Sequence, residues 1–433
     1  MKTAFQRFSL AALLLFSQAV SMFAGRPSVT ARWFFPMNPK TESAWVRDHE
    51  EKDETGSATL TFVGTAPVFG RENSGTINVS NVRQGDYFLI TAPCGPLPAG
   101  ADVDVSFSMG INGIGGAKKW ICEYYDGKKW RAFGERAEFT MKRYSEANET
   151  WRVNTITLDK GLKSKKFYVR MRALESAPDP KVKVYLSKRP RCSMYLAVWP
   201  EGAVSTTRVL MIGNSFTFFS ASYLALLEIA HSQGRRLDVG INIKGGYDFS
   251  KHLQLELTRA AIAEGGYEVA LLQNNTTSAS TYAVDTVKNA HILSESLEMA
   301  GRVRKYSPSC RLILERTWAW PRSDWEGYGS HEAFYADLAK GSRLLAAAMG
   351  ADISPIADAF LQAYNAGIKL YWGDNFHQNR NGAYLKACVN YLFLFGEPFS
   401  EDVSDYGLDP EVARTCREIA LKVVGLAGTE SSL

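Results

Sequence analysis

The chain has 433 residues, of which 45% are hydrophobic, 22% charged and 12% aromatic. This composition excludes a wholly disordered or collagen-like protein, and the length predicts two or three folded domains. The 50 basic and 45 acidic residues give a net charge of +5, which is too small a bias to indicate a nucleic-acid-binding protein. We therefore expect a globular protein whose charge does not identify its partners.

The first segment has the pattern of an export signal. Lys2 and Arg7 form a positively charged start, residues 10–16 form an apolar run, and small residues follow. The run is shorter than the roughly 20 apolar residues that a membrane span needs. We expect residues 1–24 to be a signal peptide, with cleavage after Ser21 as an alternative. The mature protein is then exported, periplasmic or extracellular, and not inserted in a membrane.

Residues from Ser57 to about Pro200 carry apolar side chains at every second position, which is the period of half-buried strands. Asp126-Gly127 predicts a hairpin turn. Segments with this alternation are Val103–Phe107, Phe167–Met171 and Val182–Val184. The pattern predicts an antiparallel β-sandwich, resembling a jelly roll, as an accessory domain over residues 25–200.

From Arg208 onwards, short apolar runs alternate with helical patterns such as residues 223–231 and 333–344. This alternation predicts an α/β domain, over residues 205–433, with a parallel sheet covered by helices on both faces. We expect the joint near residues 197–207. The predicted strands are Val209–Ile212, Val239–Ile243, Val269–Leu272, Leu312–Leu314 and Ile353–Ile356.

The six cysteines are scattered and lack the spacing of a zinc site or a redox motif. Export would permit disulfides, but buried free thiols are the simpler interpretation. They are Cys94, Cys122, Cys192, Cys310, Cys388 and Cys416.

A serine stands at the carboxyl end of the first parallel strand, where functional groups collect in open sheets. Ser215 lies in Gly-Asn-Ser-Phe-Thr, between Val209–Ile212 and a helical pattern. There its hydroxyl would lie at the edge of the sheet and its N–H at a helix N-terminus, which stabilises developing negative charge. A helix-capping serine is the structural alternative.

A histidine and an aspartate that could activate this serine occur together further along the chain. A serine becomes nucleophilic when an imidazole takes its proton and a carboxylate fixes the tautomer of that imidazole. Asp374-Asn375-Phe376-His377 places both groups in one loop. The pattern is short, and a lone histidine is more often structural.

Two other loops carry candidate hydrogen-bond donors. Gly245 and Gly246 follow the second strand, and paired glycines let a backbone N–H approach a substrate oxygen. Asn274 and Asn275 follow the third strand, and an asparagine amide is a further donor. An ordinary turn and a polar strand end are the alternatives.

In this order along the chain, the four loops resemble the blocks of the SGNH (GDSL-type) hydrolase superfamily, which carry Ser, Gly, Asn and Asp-x-x-His. The resemblance spans residues 208–399 and implies a three-layer α/β/α sandwich. It also implies catalytic roles: Ser215 as the nucleophile, His377 as the general base and Asp374 as the residue that orients His377.

The resemblance extends to the donors that would hold the oxyanion, with two departures from the usual pattern. Asn214 replaces the usual Asp, as in a secreted branch reading Gly-Asn-Ser-Phe-Thr, and Gln273 stands where Gly is usual. The implied donors are the backbone N–H groups of Ser215 and Gly246 and the side chain of Asn275, with Gly245 and Asn274 as substitutes.

An exported protein of this kind with an attached β-sandwich resembles carbohydrate esterases that remove acetyl groups from polysaccharides. We therefore expect an acetylated glycan or another small ester as the substrate, and no cofactor, no metal and no nucleic-acid partner. A lipase or thioesterase and a non-catalytic glycan-binding envelope protein are the alternatives. The oligomeric state stays open.

Aromatic residues are the expected substrate contacts. Trp318, Trp320 and Tyr247 are predicted to bind substrate near the catalytic loops. In the β-sandwich, aromatic residues could stack on sugars, although core packing is the alternative for at least half of them. The candidates are Trp120, Tyr124, Tyr125 and Trp130.

Overall fold

The described part of the chain covers most of both predicted domains. The computed structural model describes residues 26–27, 29–34, 44–72, 76–141, 149–186, 193–199, 206–321 and 329–425. The predicted signal peptide and Cys192 lie outside these ranges. Within them, no helix is long and apolar enough to cross a membrane, and no cluster of His, Cys, Asp and Glu could hold a metal ion.

The described residues up to 199 form strands and one short helix, α1 (Ala44–Arg47). The strands are β1 (Val29–Phe34), β2 (Glu50–Lys52), β3 (Thr59–Val63), β4 (Val68–Arg71), β5 (Ile77–Ser80), β6 (Tyr87–Pro93), β7 (Asp102–Phe107), β8 (Met109–Ile111), β9 (Lys119–Tyr125), β10 (Trp130–Ala132), β11 (Glu138–Thr140), β12 (Glu149–Thr157), β13 (Lys166–Ala173), β14 (Val184–Leu186) and β15 (Ser193–Trp199).

From residue 206 onwards, strands alternate with helices, as the sequence predicts. The strands are β16 (Thr206–Gly213), β17 (Arg236–Ile243), β18 (Val269–Leu272), β19 (Arg311–Glu315) and β20 (Asp352–Ser354). The helices are α2 (Ser215–Phe218), α3 (Ser222–Ser232), α4 (Phe249–Gln254), α5 (Glu256–Ala263), α6 (Thr276–Val284), α7 (Ala290–Tyr306), α8 (His331–Met349), α9 (Ile356–Asn365), α10 (Arg380–Phe395) and α11 (Pro410–Val424), with a 3₁₀ turn at Phe219–Ala221.

One nine-stranded sheet runs through both halves of the chain in the order β1-β15-β7-β12-β17-β16-β18-β19-β20. The neighbours β17-β16, β16-β18, β18-β19 and β19-β20 pair in parallel, which confirms the predicted parallel sheet. The neighbours β1-β15, β15-β7 and β7-β12 pair antiparallel. Residues 149–151 of β12 also pair antiparallel with residues 241–243 of β17. Backbone hydrogen bonds therefore join the two predicted domains, a feature that the sequence did not indicate.

The other sheets belong to the first half of the chain. A seven-stranded sheet has the order β10-β9-β13-β6-β3-β2 with β11 paired to β9, and a four-stranded sheet has the order β4-β5-β14-β8. Trp130 pairs with Tyr125 across the predicted hairpin, and Gly127 at its tip has a φ of +89°. That left-handed conformation is one that glycine adopts without steric cost.

The parallel strands follow the sequence pattern closely, apart from the end of the last one. Val269–Leu272 is buried throughout, as expected of a strand that is covered on both faces. The prediction extended the last strand to Ile356, which was wrong, because β20 ends at Ser354 and α9 begins at Ile356. Pro355 separates them, since proline has no N–H for the sheet and its fixed φ suits a helix start.

Alternate residues of β16 face two different hydrophobic cores. Val209 and Met211 pack in a core with residues of α3, α9, α10 and α11. Leu210 and Ile212 pack in a core with residues of α4 to α8. A strand places successive side chains on opposite faces of its sheet, so helices cover both faces here. This arrangement leaves the strand ends as the place for polar chemistry.

The aromatic candidates of the predicted β-sandwich differ in burial. Trp120 is fully buried and Tyr124 packs against the core beneath the seven-stranded sheet. Tyr125 and Trp130 are half-buried, with ring centroids 5.5 Å apart. The guanidinium of Arg170 lies 4.0 Å from the Trp130 centroid. Of the four candidates, only Trp120 is therefore fully buried, and Tyr124, like Tyr125 and Trp130, is partly exposed.

The described cysteines are free thiols. Cys94 is half-buried and the other four are buried, as the simpler interpretation expected. Burial raises the pKa of Cys310 to about 11 and that of Cys416 to about 12. Such thiols stay protonated at neutral pH and are poor nucleophiles.

A buried polar cluster joins the two halves of the large sheet at Asp104. This carboxylate accepts hydrogen bonds from Arg236 at 2.7 and 3.0 Å, from the Trp199 indole at 2.7 Å and from the Thr155 hydroxyl at 2.7 Å. The side chains of Asp104 and Arg236 are 1% and 7% exposed. Every acceptor position that the carboxylate offers is used, so the buried charges are compensated.

Replacing Asp104 by Ala should destabilise the protein strongly, because the buried Arg236 guanidinium keeps only Asp102 as a carboxylate partner and the buried Trp199 indole loses its acceptor. The expected loss is about 3–5 kcal/mol of unfolding free energy, measured by urea denaturation followed by circular dichroism. Asp402→Ala is the matched control, since Asp402 pairs with Arg26 and its side chain is 61% exposed. An Asp104→Ala variant as stable as this control would contradict the assignment.

Candidate active site

Ser215 stands at the first position of α2, directly after the turn that ends β16. Asn214 caps the helix: its side-chain oxygen accepts from the Phe216 N–H at 3.2 Å, and its amide donates to the Tyr247 carbonyl at 3.0 Å. Capping by a short polar side chain satisfies a helix N–H that has no partner within the helix. Asn214 thus fixes the serine and ties it to the segment that carries Gly245 and Gly246.

Gln273 holds the same turn from the neighbouring strand. Its side-chain oxygen accepts from the Asn214 N–H at 2.9 Å and from the Thr217 hydroxyl at 3.1 Å, and the residue is fully buried. A Cβ on Gly213 would lie 2.4 Å from that hydroxyl oxygen, so the turn requires glycine at this position. Gln273, which stands where glycine is usual in the pattern that the sequence resembles, therefore holds the turn on both sides of Ser215 by hydrogen bonds.

A buried ion pair supports α2 from below. Lys386 Nζ lies 2.7 Å from the Glu315 carboxylate, and both side chains are 1% exposed. The same ammonium donates to the Phe216 carbonyl at 3.0 Å, while Glu315 also accepts from Asn390 at 2.7 Å. Sequence reasoning missed this pair. The available signal was a lysine within the otherwise apolar run of α10.

His377 is oriented by Asp374. Its Nδ1 lies 2.7 Å from one carboxylate oxygen of Asp374, while the other accepts the N–H groups of Phe376 and His377 at 3.0 Å each. Asn375 allows this tight loop by adopting a φ of +50°, a conformation in which asparagine is enriched. An ionised carboxylate only accepts hydrogen bonds, so Nδ1 carries the proton and neutral His377 keeps its lone pair on Nε2.

Asp374 is held in its ionised form. Partial burial raises its pKa, but the hydrogen bonds from the His377 ring and from the Phe376 and His377 amides outweigh this and keep the pKa below its usual range. A carboxylate in this state fixes the tautomer of the imidazole and stabilises the imidazolium that forms during proton transfer. Asp374 is therefore chemically suited to the role that the resemblance implied.

Aromatic rings fix the plane of the His377 imidazole. The Phe219 ring is stacked on it with a centroid distance of 3.8 Å, and Phe376 meets it edge-on at 4.5 Å. Phe216 packs at 5.8 Å, also nearly perpendicular. These contacts come from both the serine segment and the histidine loop, so packing holds the two segments against each other.

Hydrogen bonds join the same two segments. Gln378 donates to the carbonyls of Phe216 and Phe219 at 3.0 and 2.9 Å. The Ser220 hydroxyl donates to the Gln378 carbonyl at 3.1 Å. Ser220 and Ala221 both have φ of 52°, a conformation that costs free energy for residues other than glycine and that persists where surrounding contacts enforce it.

A cavity of about 520 Å³ brings the predicted residues together. Ser215, His377, Gly246 and Asn275 all line it; the other lining residues are Asn214, Phe216, Phe218, Phe219, Lys244, Gly245, Thr276 and Phe376. The Ser215 hydroxyl makes no hydrogen bond to another described residue. Catalytic hydrogen bonds are often long in unliganded enzymes and shorten when substrate binds.

The two asparagines after β18 differ in position. Asn275 lines the cavity, and its side-chain oxygen accepts from the Thr277 N–H at 3.1 Å, which leaves its amide NH₂ as the end available to a substrate. Asn274 is buried, and its side-chain oxygen accepts the N–H groups of Phe249 and Asn275. Gly246 has a φ of +73°, and nothing lies within 4 Å of a Cβ placed on it.

The predicted aromatic substrate contacts lie outside the residues that line this cavity. Trp318 is 1% exposed, stacks on Phe216 at 4.4 Å and donates to the Phe376 carbonyl at 3.1 Å. Trp320 packs against Phe376 at 4.7 Å. Tyr247 is half-buried beside the cavity. The structure places Trp318 in particular as a support behind the phenylalanines rather than at the cavity surface.

Comparisons with known proteins give distant structural similarities. No family model matches the sequence, and no curated protein matches it. A DUF4886 family protein from Bacteroides uniformis is similar with a TM-score of 0.45 and 20% identity, over 51% of this chain and 95% of that chain. A peptidoglycan O-acetylesterase is similar with a TM-score of 0.35 and 10% identity, over 84% and 81%.

An acetylxylan esterase from Geobacillus stearothermophilus is similar with a TM-score of 0.34 and 13% identity, over 46% of this chain and 96% of that chain. At these scores and identities, the similarities do not assign an activity. What the fold and the site define is an α/β chain with a serine and an aspartate-bound histidine in one cavity at the carboxyl edge of a parallel sheet.

Replacing Lys386 by Met should destabilise the protein by about 3–5 kcal/mol, because the Glu315 carboxylate then stays buried without its cation. Adding Glu315→Gln removes that charge while the new amide oxygen still accepts from Asn390, so the double variant should regain much of the lost stability. Urea denaturation of the three proteins measures this. A double variant less stable than Lys386→Met would show that the charges are not coupled.

Proposed function

We propose that the chain is an exported serine esterase of the SGNH superfamily that removes acetyl groups from a carbohydrate. The observation that carries the proposal is the single cavity lined by Ser215, His377, Gly246 and Asn275, with His377 held by Asp374 at 2.7 Å. These residues supply a nucleophile, a base and oxyanion donors, which are the groups that acyl transfer requires.

In the proposed first step, His377 Nε2 takes the proton of the Ser215 hydroxyl as the serine oxygen bonds to the ester carbonyl carbon. The electron pair of the carbonyl moves to its oxygen, which becomes an oxyanion. The backbone N–H groups of Ser215 and Gly246 and the Asn275 amide are the proposed donors to it, each contributing about 3 kcal/mol to transition-state stabilisation.

Collapse of this intermediate breaks the bond to the carbohydrate oxygen, which leaves with the proton held by His377. Water then attacks the acetyl-serine with His377 again as the base, and acetate departs as Ser215 regains its proton. Asp374 stays ionised throughout and stabilises the imidazolium. Apart from the ester and water, all the groups in these reaction steps are side chains and backbone amides of this chain.

The proposal for a carbohydrate substrate draws on the first half of the chain. Tyr125 and Trp130 are half-buried neighbours on the surface side of the seven-stranded sheet, and aromatic rings with one exposed face suit the apolar faces of sugars. An exported location, three α/β/α layers and a jelly-roll accessory domain are further parts of the proposal. The signal sequence on which export rests lies outside the described residues.

Replacing Ser215 by Ala should lower kcat for 4-nitrophenyl acetate by about 10³-fold or more, because the covalent path is lost. Ser294→Ala is the matched control, since Ser294 lies on α7 and its hydroxyl donates only to the Ala290 carbonyl. Acetate and octanoate esters should be compared in the same assay. Retention of activity in Ser215→Ala would refute the mechanism. Inactivity of the native protein towards every ester would favour a glycan-binding protein. A preference of the native protein for the octanoate ester over the acetate ester would favour a lipase.

A further inference from the structure

Lys244 occupies a fixed position between the nucleophile turn and the glycines that are proposed to bind the oxyanion. It directly follows β17 and precedes Gly245 and Gly246. Its N–H donates to the Gly213 carbonyl at 3.1 Å, and its carbonyl accepts from the Tyr247 N–H at 3.1 Å. The backbone is therefore held at both ends, and the side chain starts from a defined place beside the reacting groups.

Lys244 is the one lysine, arginine, aspartate or glutamate among the described residues that line the catalytic cavity. His377 is the other titratable lining residue, and Asp374, which holds it, is outside the lining. Four phenylalanines supply the apolar part of the cavity: Phe216, Phe218, Phe219 and Phe376. With His377 neutral, the formal charge carried by these lining residues is thus a single positive one.

This lysine differs from the other lysines around the site in having no carboxylate partner among the described residues. Lys386 is paired with Glu315, and Lys251, in the first turn of α4, lies 3.6 Å from Asp248. The Lys244 ammonium instead lies 4.8 Å from the centroid of the Tyr247 ring, and the side chain is half-buried. A half-buried cation without a counter-ion attracts an anion more strongly than one exposed in water.

On the basis of the proposed esterase function, we infer that Lys244 selects esters whose alcohol part carries a negative charge, such as acetylated carbohydrates with carboxylate or sulfate groups. The acyl group in that function is acetyl, which is neutral, so the anion has to belong to the carbohydrate. The cation then increases the local concentration of such substrates and orients them next to the oxyanion donors.

The test uses a matched pair of small esters, 4-acetoxybenzoate and its methyl ester, which differ by one negative charge. The measured quantity is the ratio of kcat/KM for the anionic ester to kcat/KM for the neutral one. In Lys244→Met this ratio should fall about tenfold, a loss equivalent to about 1.4 kcal/mol, and Lys244→Arg should restore it. Higher ionic strength should lower the ratio in the native protein.

Lys251→Met is the matched control, because Lys251 is already paired with Asp248 and also donates to the Gly246 carbonyl at 3.2 Å. Any disturbance of the glycine segment would change both esters alike and leave the ratio constant. Acetylated oligosaccharides bearing carboxylates or sulfates, compared with uncharged ones, then identify the anionic group.

The possible results separate the inference from the function on which it rests. Hydrolysis of the neutral methyl ester by the native protein and its loss in Ser215→Ala support the esterase function whatever Lys244 does. An unchanged ratio in Lys244→Met, which includes an equal loss of kcat/KM on both esters, would overturn the inference about Lys244 but not the esterase function. If the native protein hydrolyses neither of the two esters, the esterase function is overturned and the inference with it.

Discussion

The buried Lys386 ammonium is the contact on which the geometry of the site depends most. It joins the end of β19 through Glu315, helix α2 through the Phe216 carbonyl, and α10, which carries Lys386 itself and follows the histidine loop directly. Burying an ion pair costs desolvation free energy that a well-packed apolar core would not. The pair is therefore better understood as a device that sets the relative position of three segments than as a source of stability.

Other contacts of the site also hold neighbouring segments in fixed relative positions. Gln273 links the serine turn to β18, and Gln378 links it to the histidine loop through the Phe216 and Phe219 carbonyls. The Phe219 ring then fixes the plane of His377. Catalytic groups need to be held within fractions of an ångström of their productive positions. Here, side chains around the candidate catalytic groups provide that constraint.

The sequence indicated that the candidate residues lie close together, but it did not indicate the side chains that support them. Each catalytic candidate lies in a short loop after a strand, and parallel strands bring their carboxyl ends to one edge, so Ser215, Gly246 and Asn275 could be placed together before any coordinates. Asp374 and His377 are three residues apart, and a local turn suffices to join them. Such local or strand-end signals are readable from the chain itself.

Other features depend on contacts between distant residues and leave no local pattern. Lys386 and Glu315 are 71 residues apart, and residues 149–151 pair with residues 241–243 to continue the sheet across the predicted domain joint. Alternation predicts that a segment is a strand but not which strand it pairs with. Trp318 illustrates the same limit, since an aromatic residue in a polar loop proved to be buried behind Phe216.

The two lysines near the site show why charge placement matters more than net charge. Lys386 is neutralised by Glu315 and organises structure, whereas Lys244 has no such partner among the described residues and lines the cavity. The backbone link through β12 and the Asp104 cluster connect the first half of the chain to the α/β half by hydrogen bonds. Under the proposed function, structural support and substrate contact thus belong to different charged groups.

Covalent labelling tests, without knowledge of the natural ester, whether His377 makes Ser215 nucleophilic as proposed. A fluorophosphonate reacts with activated serines, and peptide mass spectrometry locates the adduct. The account predicts a single adduct on Ser215 in the native protein, formed on the order of 10³-fold more slowly in His377→Ala. Absence of an adduct on Ser215, or an equal rate in the two proteins, would contradict it.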